Sequence, residues 1–436
     1  MTKRPDEPVA ASLAPPVQPT RRYRNYVLGI LVVVYTMNFL DRNILAILAA
    51  PIKDELGLTD TQLGLMHGLA FAVLYSTLGV PIAWLADRSS RRNIMSWALG
   101  LWSGFTALCG LATGFWQLFL FRVGVGVGEA GGVAPAYSMV ADYFPKHQRA
   151  RALAVYSLGI PIGSGAGVLA GGLIASKYGW RAAFIAVGVM GLALAPLFRL
   201  TVKDPPRGGF DAAGKAAAPV APAKVGEVFR LVARKRSFWL MAFGAASSSV
   251  CGYGLAFWMP AFFQRSFGLT LEERSWIYGG MSLLGGVLGV GGGGILADRL
   301  GGGRKAVYAL IPAVAYTISV PVYFLAFNAP SILVGFPLYL IPIGLNLMWL
   351  GPVLTAVQHL VPAHMRTTAS AMFLLINNLF GIAVGSYYFG AVSDALAPRY
   401  GAESLRYAIY TGMGFYLVGA TLFALASRRL ARDWVE

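Results

Sequence analysis

Charge is what this sequence has least of. Asp, Glu, Lys and Arg make up 13% of its 436 residues against 56% hydrophobic ones, too few polar groups to cover a surface in water, so lipid has to be the solvent for most of the chain. Cysteine is nearly absent as well. Cys109 and Cys251 lie far apart in apolar runs with no Cys or His at metal-ligand spacing, which argues against a disulfide framework or a metal site and leaves two inert core thiols. The four histidines, His67, His147, His359 and His364, fall near expected helix ends or loops without a carboxylate network around them in sequence, and read as structural. No G-x-x-x-x-G-K loop is present to hold a nucleotide, so ATP-driven pumping has no support. An enzyme would need a nucleophile, metal or acid–base motif near a helix end, and a channel a repeated pore-lining pattern. Neither is found, so no catalysis and no cofactor are expected.

What is abundant points the same way. Fifty-three Gly and 24 Pro would damage soluble helices but suit transmembrane ones, where small residues let backbones approach and neighbours rescue freed amides. At roughly 20 apolar residues per span, twelve helices are expected near 26–48, 62–84, 93–113, 116–139, 152–175, 181–199, 237–262, 275–297, 306–327, 331–358, 368–392 and 406–427. Residues 1–25 read as a polar tail rather than a signal peptide, because the apolar run behind it is too long. With that tail in the cytoplasm, 27 of the 36 Lys and Arg fall on the inner side and 7 on the outer, so both termini are placed inside by the positive-inside rule. The net charge of +17 is therefore topological; nucleic acid is not an expected partner, and anionic lipid is a secondary one. A multi-pass protein of the plasma membrane, the inner membrane in a bacterium, is the expectation, acting as a monomer.

Residues 200–236, rich in Pro, Ala, Gly and Lys, read as a cytoplasmic linker between a bundle over 26–199 and a second over 237–427, with 428–436 as a tail. The halves echo one another. LADRSSRR at 85–92 returns as LADRLGGGRK at 296–305, setting Asp87 against Asp298 at an offset of 211. FPKHQRARA, with Pro145 and Arg149, returns as VPAHMRTTA, with Pro362 and Arg366, at an offset of 217. Two echoes at nearly one offset imply a parallel duplication of a six-helix unit, an architecture with its substrate site between the halves near the midplane.

With this pattern the chain resembles the major facilitator superfamily over essentially its whole length. The family's loop G-x-L-A-D-R-x-G-R-K is matched at Asp87, Arg88, Arg91 and Arg92, with Ala83 and Ser90 in place of the glycines. The second copy keeps Gly294, Asp298, Arg299, Gly301, Arg304 and Lys305 with a small insertion. The resemblance implies a cytoplasmic latch between the halves built from Asp87, Arg88, Arg91, Arg92, Asp142, Arg149, Arg151, Asp298 and Arg299, which needs a carboxylate at a helix end beside basic partners. NFLDRN in span 1, RVGVGVGEAGGVAPA in span 4 and GIPIGSGAG in span 5 are most similar to the spinster family of lipid transporters. The glycines of span 5 (Gly159, Gly163, Gly167, Gly171, Gly172) are also similar to the antiporter motif without its Gly-Pro step, and small-residue helix packing accounts for them equally well.

Four ionisable residues lie inside spans, at a cost of at least about 2.5 kcal/mol each on insertion scales, so they face partners or a water-filled cavity. Helix rise puts Asp41 and Arg42 roughly 10 Å from the outer end of span 1 and Arg122 at a similar depth in span 4, so an Asp41–Arg122 contact is expected. Glu129, two turns on from Arg122, is expected alone about 10 Å deeper, with Asn38 adding a neutral group one turn before Asp41. Burial and nearby cations pull a carboxylate's proton affinity in opposite directions. Glu129 and Asp41 are accordingly the expected proton-responsive pair, with Arg42 and Arg122 as alternating partners and one arginine open to an anionic head group. A static cluster that only ties spans 1 and 4 together is the alternative.

The C-terminal half carries no charge within its expected spans, so its side of the cavity is expected to be apolar or neutral, lined by Trp258, Phe262, Phe263, Asn346, Trp349, Asn377 and Asn378. A charged half facing an apolar one suits an amphipathic anion. Membrane lipids, protons and a lysolipid or other small substrate are the expected partners of a proton-coupled secondary transporter. A carrier of small organic anions or drugs on the same fold is the alternative.

Overall fold

The computed structural model describes residues 19–86, 88–205, 225–301, 304–362 and 365–435, in which no strand occurs. The first half contains α1 (Arg21–Leu56), α2 (Asp60–His67), α3 (Leu69–Ala86), α4 (Arg91–Cys109), α5 (Phe115–Glu129), α6 (Val133–Tyr143), α7 (Lys146–Ser157) and α8 (Gly159–Thr201). After α9 (Val225–Ala233) come α10 (Arg236–Phe267), α11 (Leu271–Leu300), α12 (Val307–Phe327), α13 (Ile332–Leu347), α14 (Leu350–Gln358), α15 (Arg366–Tyr400) and α16 (Ser404–Asp433). Among the described residues nine stretches are long and apolar enough to cross a membrane. Two of these, Arg151–Thr201 and Thr368–Asp433, each hold two spans, divided at Gly179 with its φ of +82° and at the turn Gly401–Glu403. With α4, whose charged start at Arg91 and Arg92 lowers its hydropathy, the spans number twelve.

Helix ends depart from the apolar runs in a consistent direction. Span 1, expected over 26–48, runs from Arg21, capped by the Thr20 hydroxyl, to Leu56, where Gly57 closes it with a φ of +63°. Span 12 continues to Asp433, so most of the expected tail at 428–436 is helical, and the expected linker at 200–236 contains α9, whose Val228 and Val232 are buried one turn apart. Hydropathy marks where a helix meets lipid. Backbone hydrogen bonding carries the helix beyond that point wherever caps or packing sustain it.

Several spans are broken at mid-depth: at Gly68 between α2 and α3, at Ala130–Gly132 between α5 and α6, at Leu158 between α7 and α8, and at Met348–Trp349 between α13 and α14. Breaks of this kind are tolerated inside a bilayer only where protein lines them. Glycine also sets how closely helices approach. Gly159, Gly167 and Gly171 of α8 lie along α1, and a Cβ on Gly167 would stand 2.6 Å from the Leu40 carbonyl oxygen. The glycine stripe of span 5 thus presses α8 against the segment of α1 that carries Asp41 and Arg42.

The halves meet most extensively along two seams, while α1 also packs on α10 and α3 on α15. In one, α2 packs on α15 at Gly64, Gly68 and Gly390; in the other, α8 packs on α11 at Gly165 and Gly279, where a Cβ on Gly165 would lie 3.0 Å from the Gly279 carbonyl oxygen. The α2–α15 seam lies toward the end of the molecule remote from the basic loops, termed the outer end below, whereas the α8–α11 seam continues inward to Pro161 and Gly286.

Candidate functional site

Of the four intramembrane charges of the first half, Asp41, Arg122 and Glu129 are buried and Arg42 is partly so, and they form one cluster. Arg42 Nε donates to Glu129 Oε2 at 2.6 Å, with the Glu129 side chain 0% and the Arg42 side chain 12% exposed. The guanidinium is boxed by rings: its central carbon lies 5.0 Å from the Phe39 centroid, 4.7 Å from Phe71 and 4.5 Å from Tyr75, in range for cation–π attraction. Arg122 donates through Nη1 to the backbone carbonyl of Asp41 at 3.3 Å. The Asp41 carboxylate accepts no hydrogen bond among the described residues, and Thr106 and Trp102 face it outside bonding geometry. Both polar atoms of Asn38 are likewise unpartnered and buried.

This corrects one geometrical expectation: Glu129 does not stand alone but pairs with Arg42. The expected Asp41–Arg122 contact forms through the Asp41 backbone carbonyl. The cause is the length of α1, which runs 15 residues past Asp41 to Leu56, or about 22 Å at 1.5 Å per residue, and so lowers Asp41 and Arg42 to the level of Glu129. Glu129 is the last residue of α5, directly before the break at Ala130–Gly132.

Across the site, Trp258, Phe262 and Phe263 do not line a cavity. Each is 0% exposed: Trp258 donates its indole N–H to the Ser386 carbonyl at 2.9 Å, Phe262 packs on Phe327 and Phe263 on Tyr339. They are core, because α10 runs on to Phe267 and turns that face into its own half. Trp349 is also buried, against Phe373. The asparagines stay half-buried or paired: Asn377 accepts from the Ser249 hydroxyl at 2.8 Å and donates toward Asn378 at 3.3 Å, while Asn346 stands against Gly252. Tyr253, which sequence reasoning passed over, lies within electrostatic range of Arg42 and Tyr75 and faces the cluster from the second half. A tyrosine group in the first half adjoins the same place, with Tyr35 stacked on Tyr156 at 4.3 Å and Tyr137 edge-on to Tyr156 at 5.4 Å.

A second polar centre joins the halves at the outer end. Asp60, 2% exposed at the start of α2, accepts from Arg265 Nη1 and Nη2, both at 2.7 Å, from the Ser393 hydroxyl at 2.8 Å and from Lys53 Nζ at 2.5 Å. Reciprocally, Asp394 of α15 accepts from the Thr61 amide at 2.7 Å, the Asp60 amide at 3.2 Å and the Thr61 hydroxyl at 2.5 Å. A carboxylate of one half thus caps a helix of the other and meets the positive end of its dipole. Slightly deeper, His67 shares a 2.7 Å hydrogen bond with Ser386 and stacks on Phe257, so it too bridges the halves. All described hydrogen bonds between the halves belong to this outer group. Its residues were assigned to loops or span ends, and nothing in sequence pairs position 60 with 265 or 394.

At the basic end, Arg91 is 2% exposed and donates to Asp142, to Ser138 Oγ at 2.9 Å, to Asp204 at 3.0 Å and to the Pro205 carbonyl at 2.6 Å, all within the first half. Arg88 lies over Trp84 at 4.0 Å, Arg149 donates to the Phe144 carbonyl at 3.0 Å, Arg92 lies in the first turn of α4, and Arg151 and Arg299 are exposed. Asp87 and the side chain of Asp298 lie outside the described residues, as do the side chains of His147 and His364.

Twelve spans in two halves of six, joined by a polar centre at the outer end and holding a buried charge cluster in the first half, define an integral multi-pass membrane transporter. The family model of the Major Facilitator Superfamily matches residues 31–386. Over 94% of both chains, the protein is 36% identical to an MFS-type efflux pump of Mycolicibacterium smegmatis. It is 29% identical to human protein spinster homolog 1, over 94% of this chain and 83% of that one. Among solved structures it matches a bacterial homologue of the human lysosomal transporter spinster, inward-facing and unoccupied, with a TM-score of 0.88 and 31% identity, covering 96% of this chain and all of that one. The chain belongs to the major facilitator superfamily and, within it, to the spinster family.

Proposed function

We propose that the protein is a proton-coupled secondary transporter that moves an amphipathic, lipid-like anion by alternating access. The observation that carries this reading is the Arg42–Glu129 pair, buried in an aromatic box beside an Asp41 carboxylate with no donor of its own. Two carboxylates and two arginines out of water are stable only when charge is balanced locally, so proton occupancy at Asp41 and Glu129 governs which arginine is engaged. Arg42, the one member with measurable exposure, is then the group for an anionic head, and the surrounding Phe39, Phe71 and Tyr75 suit the apolar part beside it. In this reading the basic end faces the cytoplasm, both termini lie there, and the membrane is the bacterial inner membrane; the charge asymmetry and the bacterial relatives support it.

The outer polar group then serves as a lock that holds the inward-facing state, a reading supported by the match to an inward-facing spinster homologue. The efflux-pump relative favours a second reading, export of small organic anions or drugs by the same residues. Proteoliposomes with an imposed pH gradient separate them. Gradient-driven movement of a lysophospholipid and not of a small aromatic acid supports the first; the reverse supports the second, and movement of either without response to the gradient overturns proton coupling.

A further inference from the structure

At the basic end of the molecule α10 begins where α16 ends, and five arginines crowd the junction. Arg234 and Arg236 come from the approach to α10, and Arg428, Arg429 and Arg432 from the last turns of α16; together they ring an open cavity of about 770 Å³. One carboxylate, Asp433, lies among them and is already engaged. Its Oδ2 accepts from the Ser237 amide at 3.1 Å and hydroxyl at 2.6 Å, and its backbone carbonyl accepts from Lys235 Nζ at 2.6 Å. Among the described residues none of the five guanidiniums is bonded to a protein acceptor. So many like charges at one place repel one another and set up a local field that favours an anion.

Directly alongside, an apolar groove of about 380 Å³ shares Arg236, Leu425 and Arg429 with the first cavity and is walled by Trp239, Leu240, Phe243 and Leu422. Trp239 stacks on Phe243 at 5.9 Å, and Phe243 remains 45% exposed on the flank of the bundle. At 1.5 Å per residue, Phe243 sits about 10 Å further along α10 than Arg236, so the groove runs from the arginines toward the bilayer interior. Cations at the membrane surface above an apolar furrow that descends into it match the two parts of a phospholipid, and arginine forks suit phosphate oxygens.

We propose that this junction binds an anionic phospholipid of the leaflet at the basic end, with its phosphate in the arginine ring and an acyl chain along Trp239, Phe243 and Leu425. Five guanidiniums exceed what one phosphodiester neutralises, so the ligand class that fits is a lipid with two phosphates. The site lies on the flank of the second half at the basic end, away from the Arg42 cluster, and stands whether or not the transport reading does.

The test uses the full chain, delipidated in detergent, with lipid retention read by native mass spectrometry. Three probes are titrated: cardiolipin, phosphatidylcholine and the soluble glycerol phosphate head group. Cardiolipin is expected to be retained over phosphatidylcholine, and glycerol phosphate to bind far more weakly. Each single Arg→Gln change at 428, 429 or 432 should weaken cardiolipin about fivefold, and the triple change on the order of 100-fold. Arg→Lys at the same three positions should keep most of the affinity, and Arg399→Gln at the outer end should leave it unchanged. Should the triple Gln chain fail to fold, the single variants and the Lys chain carry the measurement. Equal retention of the two lipids, or cardiolipin binding untouched in the single and triple variants, overturns the proposal. Glycerol phosphate binding as tightly as cardiolipin also overturns it, in favour of a plain phosphate site.

Discussion

Arg42 touches every element of the candidate site: a carboxylate on one side, three aromatic rings around its plane, and a tyrosine of the opposite half within electrostatic range. Its planar fork and its stacking both matter, so Arg42→Lys keeps the charge and loses the geometry. In reconstituted vesicles that variant should raise the apparent KM for an anionic substrate by about tenfold, the equivalent of about 1.4 kcal/mol, with a smaller effect on maximal rate. Glu129→Gln and Asp41→Asn act on the proton instead. Each is expected to leave substrate exchange between equal compartments intact while abolishing its response to a pH gradient; a full gradient response in both would return the cluster to a purely structural role. At this scale the sequence was informative about identity and poor about pairing. Asp41, Arg42, Arg122 and Glu129 stand out because ionisable residues are rare in apolar runs. Their partners depend on how far α1 extends past its apolar stretch, which Lys53, Asp54 and Glu55 concealed.

Elements here are fixed to one another by absent side chains. Gly167 and Gly171 let α8 lie against α1 at the turn that carries Asp41 and Arg42, and a larger residue there has only backbone or Ile44 to push against. Gly167→Val is therefore expected to cost about 1–3 kcal/mol and to lower the melting temperature of the purified protein, whereas the same change at Gly29, with open space around it, should be nearly silent. Close packing is sufficient to account for the glycines of span 5. The twelve spans and the duplication were legible from hydropathy and the repeated loops. The mid-span breaks were not, since glycine is so frequent that those at 68, 131 and 132 carry no distinguishing mark in sequence. Trp258, Phe262 and Phe263 were misplaced for a related reason: an apolar residue on a membrane helix reads alike whether it faces a cavity or its own bundle.

For the molecule as a whole, the proposed lock is the outer polar group. Asp60 receives four donors from three side chains of both halves, Arg265, Lys53 and Ser393, and removing it leaves the half-buried Arg265 near Trp258 without its counter-charge. Asp60→Asn should shift spin-label distances across the outer ends toward an opened population. Exchanging the charges, with Asp60→Arg and Arg265→Asp together, should restore part of the closed one, and unchanged distances in the single variant would show that the glycine seams alone keep the end shut. Asp394 gives this lock a further consequence. When the halves part at that end, the first amides of α2 lose their cap from α15 and pass to water, which satisfies them at little cost. In the transport reading proposed above, this lock is a catch that leaves the mouth toward the basic side, where cargo is first met. In sealed vesicles of known orientation and without any gradient, a labelled lysolipid supplied on the basic side should bind at once, while the same ligand on the far side should wait for the catch to open.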